Sequence, residues 1–185
     1  METKKLSDLN KDILIHLLDY SKYLYEEEKE RTLRIEKKVE IFKIFLGGGV
    51  LVSIILPLEN IKSLVIDNEF NTIIPILNGA VFMYVVSFLL FVLSFIFTVL
   101  IYKVQKFERP STPDNVVDRS LSMVKEEEFL AEVIADYSVA TGINHEINDK
   151  KAIYLSRALF TFSLGVFSTI VCLVLYISTQ YVTGG

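Results

Sequence analysis

Two long apolar runs stand out from an otherwise charged sequence. The segments Ile73–Tyr102 and Ala158–Gly185 contain no Asp, Glu, Lys or Arg, and an uninterrupted run of about 18 apolar residues is typical of a membrane-spanning helix. A third run, Ile41–Leu58, carries one charge, Lys43, whose long side chain can reach the membrane surface. A buried core helix is the alternative for this shorter run. We predict an all-α protein with three transmembrane helices.

The first segment between the runs predicts an amphipathic helix. Residues 1–43 contain no proline or glycine, and Ser7 followed by Asp8 is a plausible helix start. Apolar residues then recur at steps of three and four, which is typical of a helix with one apolar face. This predicted stripe consists of Leu6, Leu9, Ile13, Leu17, Tyr20 and Leu24. We expect the helix to continue into the first span, and the charge run 26–31 to be a solvated face.

The segment 103–157 predicts a second long helix after a break. The break is the turn-rich stretch 109–114, which holds two prolines. The helix is expected to begin near Asp114 or Asn115 and to continue, straight or slightly kinked, past Gly142 into the third span; an end of the helix at Gly142 is the alternative. Its apolar stripe is Val117, Leu121, Val124, Leu130, Ile134, Tyr137, Ile147 and Tyr154. Two narrow stripes of this kind are expected to pack against each other and against other copies of the chain.

The basic residues predict the orientation in the membrane. Basic residues border the first span on its N-terminal side, and they also fill both ends of segment 103–157, whereas the loop 59–72 carries one lysine and three acidic residues. The positive-inside rule therefore places segments 1–43 and 103–157 in the cytoplasm. The loop 59–72 then lies outside; it joins the two spans of segment 44–102. The end of the third-span segment, 158–185, lies outside as well. This topology predicts a multi-pass protein of the cytoplasmic membrane.

Charge and candidate chemistry argue against an enzyme. The net charge of −4 does not favour general nucleic-acid binding, which needs a basic face. The two histidines, His16 and His145, are far apart in the sequence, and Cys172 is the single cysteine. Neither histidine lies in a metal-ligand pattern, so both are expected to be ordinary helix residues. We expect no catalytic set, no metal site and no cofactor.

The spans themselves carry weakly polar faces. Gly47, Gly48 and Gly49 in the first span, and Gly165 with Thr169 in the third, are predicted to allow close helix packing; a hinge is the alternative for the three glycines. The second span has one weakly polar side, which either lines a narrow pore or forms a hydrogen-bonded seam between helices. The candidate pore-lining residues are Tyr84, Ser87, Phe91, Ser94 and Thr98. Three helices cannot enclose a conduit, so a pore requires a homo-oligomer.

Two stretches together carry a resemblance to a known group of proteins. They are Leu33–Gly49, with the sequence LRIEKKVEIFKIFLGGG, and Asn144–Phe160, with the sequence NHEINDKKAIYLSRALF. In each, a charged helix leads into a span, and this arrangement resembles small bacterial transmembrane effectors of anti-phage systems, of the SLATT type or associated with Pycsar or CBASS. The third span and the long cytoplasmic segment depart from the two-helix pattern of those effectors.

The resemblance implies a protein that oligomerises and permeabilises or depolarises the membrane on infection. Such effectors are switched by a nucleotide signal or a partner protein. If the trigger is an anionic nucleotide, the cytoplasmic cations to test for binding it are Arg109, Arg119 and Lys125. We therefore expect a homo-oligomeric pore or ion channel gated from the cytoplasm. The alternatives are a non-conducting scaffold that recruits a soluble enzyme, and a holin-like lysis protein that needs no trigger.

Overall fold

The computed structural model is all-helical in the residues that it describes. These are residues 9–66, 74–104, 106–110 and 125–183, with side chains described for 9–48, 79–104, 106–110 and 125–178. Three helices lie in this part of the chain: α1 (Lys11–Ile66), α2 (Ile74–Lys103) and α3 (Glu126–Thr183). No strand occurs in the described ranges, which confirms the predicted all-α class.

Two of these helices are long and apolar enough to cross a membrane. The candidate spans are Gly79–Lys103 in α2 and a segment of α3 within Glu126–Ser178. Large apolar side chains on both are exposed in the single chain, with Phe82 67% and Phe160 65% exposed. Extended apolar surface of this kind needs lipid or another protein to cover it, which supports a membrane location. Most of the predicted span Ile41–Leu58 lies outside the residues whose side chains are described.

Helix α1 begins later and ends later than its sequence pattern predicts. Asn10 caps it: its side-chain Oδ1 accepts a hydrogen bond from the Asp12 N–H at 3.1 Å, and its carbonyl accepts one from the Leu14 N–H at 3.1 Å. The predicted start at Ser7 lies outside the described residues. At the other end, residues 59–66 continue the helix, although they belong to the predicted outer loop. This stretch contains no glycine or proline to end a helix.

Helix α3 passes through Gly142 without interruption, as its apolar spacing predicts. Its predicted start near Asp114 or Asn115 lies outside the described residues. A Cβ atom added at Gly142 would meet nothing within 4 Å, so an alanine fits here without displacing a neighbour.

This open position gives a stability prediction. Gly142→Ala is expected to stabilise the protein by about 0.5–1 kcal/mol, because glycine in a helix interior loses more conformational entropy on folding than alanine does. The thermal unfolding midpoint of the full chain in detergent measures the change. A lower midpoint in the variant would show that the Gly142 position meets a neighbour in the intact protein.

The chain divides into two compact units. The first unit comprises the residues up to Glu36 together with Val104–Lys151, and the second comprises Lys37–Lys103 together with the residues from Ala152 onward. Both α1 and α3 therefore contribute their N-terminal parts to the first unit and their C-terminal parts to the second.

In the first unit, α1 and α3 pack as parallel neighbours. Their hydrogen-bonded partners are separated by a nearly constant 114 to 120 positions, which is the signature of parallel helices in fixed register. On each helix, one row of buried or half-buried residues follows steps of four and three, as in a coiled coil. On α1 these are Leu14, Leu18, Ser21, Tyr25, Glu28, Thr32 and Ile35; on α3 they are Ile134, Tyr137, Thr141, Asn144, Asn148 and Lys151.

The buried face of α1 differs from the predicted stripe. Ile13 and Tyr20 are 48% and 59% exposed, whereas Leu14, Ser21 and Tyr25 are buried. The predicted stripe is therefore wrong at Ile13 and Tyr20, whereas its Leu17 and Leu24 are half-buried. Its physical reason is that polar residues occupy several positions facing α3, and their hydrogen bonds remove the penalty of burying them. On α3 the prediction is better, because Ile134 and Ile147 are buried.

In the second unit, α2 and α3 run antiparallel. Their hydrogen-bonded pairs advance in opposite directions, from Cys172 with Ala80 to Ser94 with Ala158. A buried apolar cluster joins them to α1 and consists of Phe42, Leu46, Phe91 and Ala158, with Phe97 and Phe162 packed beside it.

Candidate functional site

A buried amide on α3 organises the polar contacts between the two helices of the first unit. Asn148 is 0% exposed. Its Nδ2 donates to the Glu28 carbonyl at 2.9 Å and to Glu28 Oε2 at 2.7 Å, and its Oδ1 accepts from Thr32 Oγ1 at 2.9 Å. Both N–H donors and the carbonyl oxygen of the amide therefore have partners, which fills three of its four hydrogen-bonding positions. A buried asparagine satisfied in this way fixes the register of a helix pair, since a shifted register would leave its amide unpaired.

Four ionisable groups surround this amide, and we refer to them as the charged layer: Glu28, Arg31, His145 and Asp149. Arg31 Nη2 lies 2.6 Å from Asp149 Oδ1, and its Nη1 lies 3.5 Å from Glu28 Oε1. His145 lies between two carboxylates, with Nδ1 2.8 Å from Glu28 Oε1 and Nε2 3.5 Å from Asp149 Oδ2. Arg31 Nη1 is also 3.4 Å from His145 Nδ1. Because an ionised Glu28 carboxylate can only accept, we assign Nδ1 as the donor to Glu28, and a protonated Nδ1 cannot also accept from Arg31.

The layer shifts the acid–base properties of its members. The hydrogen bond to Glu28 is the main reason that the pKa of His145 lies above its ordinary value of 6.5, and the charges of Asp149 and Glu28 add to it. Burial favours the neutral form of Glu28, but hydrogen bonds from Asn148 and His145 outweigh it and hold the pKa of Glu28 below 4.5. The hydrogen bond from Arg31 likewise lowers the pKa of Asp149. The folded unit thus favours the fully charged layer.

These shifts predict how stability depends on pH. A raised histidine pKa stabilises the folded state fully below about pH 6.5, and this contribution is lost as the pH rises through the folded pKa. We expect the thermal unfolding midpoint of the wild type to fall as the pH rises from about 6.5 through the folded pKa of His145. His145→Gln is expected to flatten the profile there, whereas His16→Gln keeps the wild-type profile, because His16 is exposed and lies outside the charged layer. Equal profiles for both variants would contradict the role of His145.

A second buried amide ties the segment after α2 to α3. Asn144 is 0% exposed, and it both accepts from the Glu108 N–H at 2.7 Å and donates to the Glu108 carbonyl at 2.9 Å. The adjoining Phe107 packs against Tyr25, with ring centroids 5.3 Å apart, and Tyr137 meets Tyr25 edge-on at 5.5 Å. Phe107 and Glu108 therefore hold the segment 106–110 against both helices through an aromatic contact and paired backbone hydrogen bonds.

Sequence reasoning did not find this site. It treated His145 as an isolated helix residue and the charge run 26–31 as a solvated face. Glu26, Lys29 and Glu30 are indeed exposed, but the Glu28 side chain is only 14% exposed. The available signal was the spacing of Asn144, Asn148 and Lys151, which places three polar residues at consecutive core positions of a coiled-coil repeat.

Comparisons with known proteins add no relative. No protein family, curated protein or solved structure matches this chain. Functional inference therefore rests on the geometry of the described residues. Among them, no group of three His, Cys, Asp or Glu side chains is arranged to hold a metal ion.

The candidate pore-lining residues of α2 face α3 within the single chain. Ser87 Oγ donates to the Gly165 carbonyl at 2.9 Å and lies 2.6 Å from Thr169 Oγ1, and Ser94 Oγ donates to the Ala158 carbonyl at 2.8 Å. Four of the five are buried: Ser87, Phe91, Ser94 and Thr98, with Tyr84 half-buried. Within one protomer, Ser87 and Ser94 therefore make hydrogen bonds of the kind that the alternative interpretation, a seam between helices, predicts. A pore-lining role in an assembly stays a prediction.

The candidate packing residues separate into two groups. Gly165 lies directly against Phe91, because a Cβ atom added to it would be 3.0 Å from Phe91 Cε1. Thr169 lies one turn away in the same seam, where its Oγ1 donates to the Gly165 carbonyl at 2.9 Å. By contrast, a Cβ atom added at Gly47 or Gly48 meets nothing within 4 Å. The side-chain surroundings of Gly49 lie outside the described residues.

The candidate ligand cations are only partly described. Arg109 and Lys125 are exposed in the first unit, and Arg109 directly follows Glu108, whose carbonyl accepts from the Tyr25 hydroxyl at 3.5 Å. Arg119 lies outside the described residues. The structure thus places Arg109 beside the aromatic contact that helps to hold segment 106–110.

Proposed function

We propose that this chain is a three-span protein of the bacterial inner membrane that assembles into a homo-oligomeric ion channel gated from the cytoplasm. The observation that carries the proposal is the continuity of α1 and α3. Each is a single helix of more than 50 residues, with 56 in α1 and 58 in α3. Each contributes to a unit rich in charges and to a unit rich in exposed apolar side chains.

The continuous helices supply a physical route for gating. A helix resists bending because its backbone hydrogen bonds link every turn to the next. A signal that repacks α1 against α3 in the first unit therefore turns or tilts the same helices farther along the chain. The charged layer suits such a switch, since its interactions depend on the charge of every member.

The conduit is assigned to a face that one protomer leaves open. Ile41, Ile44 and Gly48 lie in one row of α1, and Ile44 is 77% exposed. The hydroxyl groups of α2, by contrast, are already bonded inside the protomer. An apolar row facing its copies around a symmetry axis forms a constriction that blocks ions when it loses its water. Gly48 leaves space for the close approach of a neighbouring backbone.

The resemblance to anti-phage effectors supplies the biological setting for this proposal. It implies that infection produces the trigger, either a nucleotide or oligonucleotide signal or a partner protein. Arg109 and Lys125 are cations of the first unit that an anionic trigger could contact. The proposed outcome is depolarisation or permeabilisation of the membrane.

Ion flux from proteoliposomes tests the channel directly. Purified protein is reconstituted with a potassium gradient, and a panel of cyclic nucleotides or a lysate of infected cells is added. Flux is expected only with an active trigger. To locate the conduit, Ile44→Cys is made in a Cys172→Ser background, which keeps a donor for the Ala80 carbonyl that Cys172 contacts at 3.3 Å. A charged thiol reagent is expected to change flux through Ile44→Cys but not through Phe160→Cys.

A membrane scaffold is the second candidate, and the seam between α2 and α3 favours it. In the seam, the hydroxyl groups of α2 are already bonded to α3 within one protomer. They are therefore not needed to line a conduit, which suits a protein that only anchors a partner to the membrane. A scaffold shows no flux under any trigger, even when the protein is correctly inserted and oligomeric. It instead loses a bound soluble partner when the first unit is broken, for example by Ile134→Asp, since Ile134 is 5% exposed.

A further inference from the structure

An apolar groove runs along one side of α2 in the second unit. Its volume is about 630 Å³, within the range of about 300–1,000 Å³ that is usual for small-molecule sites. Its wall is a row of exposed apolar side chains on successive turns of α2: Phe88, Val92, Phe95 and Val99. With ~1.5 Å of rise per residue, this row is about 16 Å long, close to the ~15 Å hydrocarbon depth of one bilayer leaflet.

One cation stands at the end of this apolar row. Lys43 lines the groove, and its Nζ lies 4.2 Å from the centroid of the Tyr102 ring. Tyr102 is next to the last residue of α2, so the ammonium group lies at the end of the helix that the basic flanks place at the cytoplasmic surface. An amphipathic tyrosine and a lysine are the residues that favour this interface.

The α1 side of the groove is open because of a glycine. Gly47 lies one turn beyond Lys43 and lines the same groove, and a Cβ atom added there would meet nothing within 4 Å. A long side chain at this position would project into the space beside the α2 row. The groove thus combines an open apolar channel with a positive charge at one end.

We propose that this groove binds one anionic phospholipid of the cytoplasmic leaflet, with an acyl chain along α2 and the phosphate beside Lys43. The inference rests on the membrane location in the proposed function. Charge complementarity selects the ligand class: a single lysine in a lining that is otherwise uncharged and mostly apolar matches a molecule with one anionic head and a long apolar tail. A zwitterionic lipid has the same tail, but the positive charge of its headgroup offsets the phosphate, so its attraction to Lys43 is weaker.

The absence of tryptophan from the chain makes a direct test available. Phe95→Trp places a single fluorophore in the groove wall, and Phe167→Trp places one on α3 at an equally exposed position outside the lining, with 58% and 63% exposure for the two phenylalanines. Each variant is reconstituted in phosphatidylcholine vesicles. Brominated phosphatidylglycerol or brominated phosphatidylcholine is then added at the same mole fraction as a short-range quencher.

The expected result is lipid selectivity at one position only. Phe95→Trp is quenched by brominated phosphatidylglycerol with an apparent affinity about fivefold higher than by brominated phosphatidylcholine, the size of effect of one lysine near an anionic surface. Phe167→Trp is quenched equally by both. Adding Lys43→Gln or Gly47→Leu removes the selectivity, whereas adding Lys103→Gln preserves it, because Lys103 is exposed but does not line the groove.

Three outcomes overturn the lipid site. They are equal quenching of Phe95→Trp by both lipids, equal loss of selectivity in the Lys43→Gln and Lys103→Gln variants, and protection of Phe95→Trp from both lipids, which indicates a second copy of the chain in the groove. In each case, continued quenching of Phe167→Trp shows that the membrane location still holds. Absence of quenching at both positions contradicts the membrane location as well.

Discussion

Asn148→Leu is expected to destabilise the first unit by about 3 kcal/mol, because it removes three hydrogen bonds at a fully buried position. Leucine has a similar size, so the effect is electrostatic rather than steric. The loss of Nδ2 leaves the Glu28 carboxylate, 14% exposed, without its buried donor. Removing one partner of a buried polar or charged pair costs more than the pair itself contributes.

Hydrogen exchange in α3 measures this effect locally. Backbone amides in residues 140–151 are expected to exchange about a hundredfold faster in the variant, since each 1.4 kcal/mol is about a factor of ten in the opening equilibrium. Glu146→Leu is the matched control on the exposed side of the same helix, and we expect it to stay within about 0.5 kcal/mol of wild type.

A double variant separates lost hydrogen bonds from lost packing. Asn148→Leu combined with Glu28→Leu replaces the amide and the carboxylate that it donates to with apolar side chains, which is often nearly neutral in a buried site. The Thr32 hydroxyl keeps the Glu28 carbonyl of its own helix as an acceptor. Much of the lost protection should therefore return. If Glu28→Leu instead adds to the damage, the buried amide does not act through the Glu28 carboxylate.

The sequence predicted the helices better than their contacts. Helical periodicity survives Gly142 because a single glycine costs a helix only about 1 kcal/mol. The two sides of α2 could also be predicted, since Ser87, Ser94 and Thr98 recur at helical spacing among purely apolar neighbours. In that helix, these three hydroxyl residues are all buried.

The contacts of the first unit were harder to predict because they join distant parts of the chain. Hydrophobicity ranks Ile13 above Ser21 and Thr32, yet Ile13 is exposed and the two hydroxyl residues are buried. The Thr32 hydroxyl lies 3.0 Å from the Glu28 carbonyl of its own helix and 2.9 Å from Asn148 Oδ1, which is 116 positions away, so its burial is matched partly by a distant acceptor. His145 likewise meets Glu28 across 117 positions. Local periodicity holds no information about such a partner.

The register of the parallel pair explains why the polar residues lie together. Apolar residues alone would let α1 slide along α3 by a heptad with little loss, since leucine and isoleucine positions are interchangeable in such a seam. A shift would separate Asn148 from Thr32 and Glu28, and Lys151 from Glu36, whose Oε1 lies 3.2 Å from the lysine Nζ. A fixed register is useful to a protein that transmits a signal along its helices, because it leaves few alternative packings.

Gly165→Ala is the second large effect that we expect, and it concerns the α2–α3 contact. The added Cβ atom would lie 3.0, 3.2 and 3.3 Å from three atoms of the Phe91 ring, closer than ordinary van der Waals contact. The ring has little room to move, because it is 3% exposed and packs against Phe162 with centroids 5.5 Å apart. The helices cannot separate freely either, since Ser87 donates to the Gly165 carbonyl at 2.9 Å.

Overpacking of this kind costs typically about 1–3 kcal/mol, so the unfolding midpoint of Gly165→Ala in detergent should fall clearly below that of the wild type. Gly79→Ala is the matched control in the same helix pair, because its Cβ atom would lie 3.8 Å from Leu175 Cδ1, an ordinary contact. Adding Phe91→Leu to Gly165→Ala should recover part of the loss by removing the ring atoms that clash. A Gly165→Ala protein as stable as Gly79→Ala, with no response to Phe91→Leu, would show that α2 and α3 do not meet at this glycine.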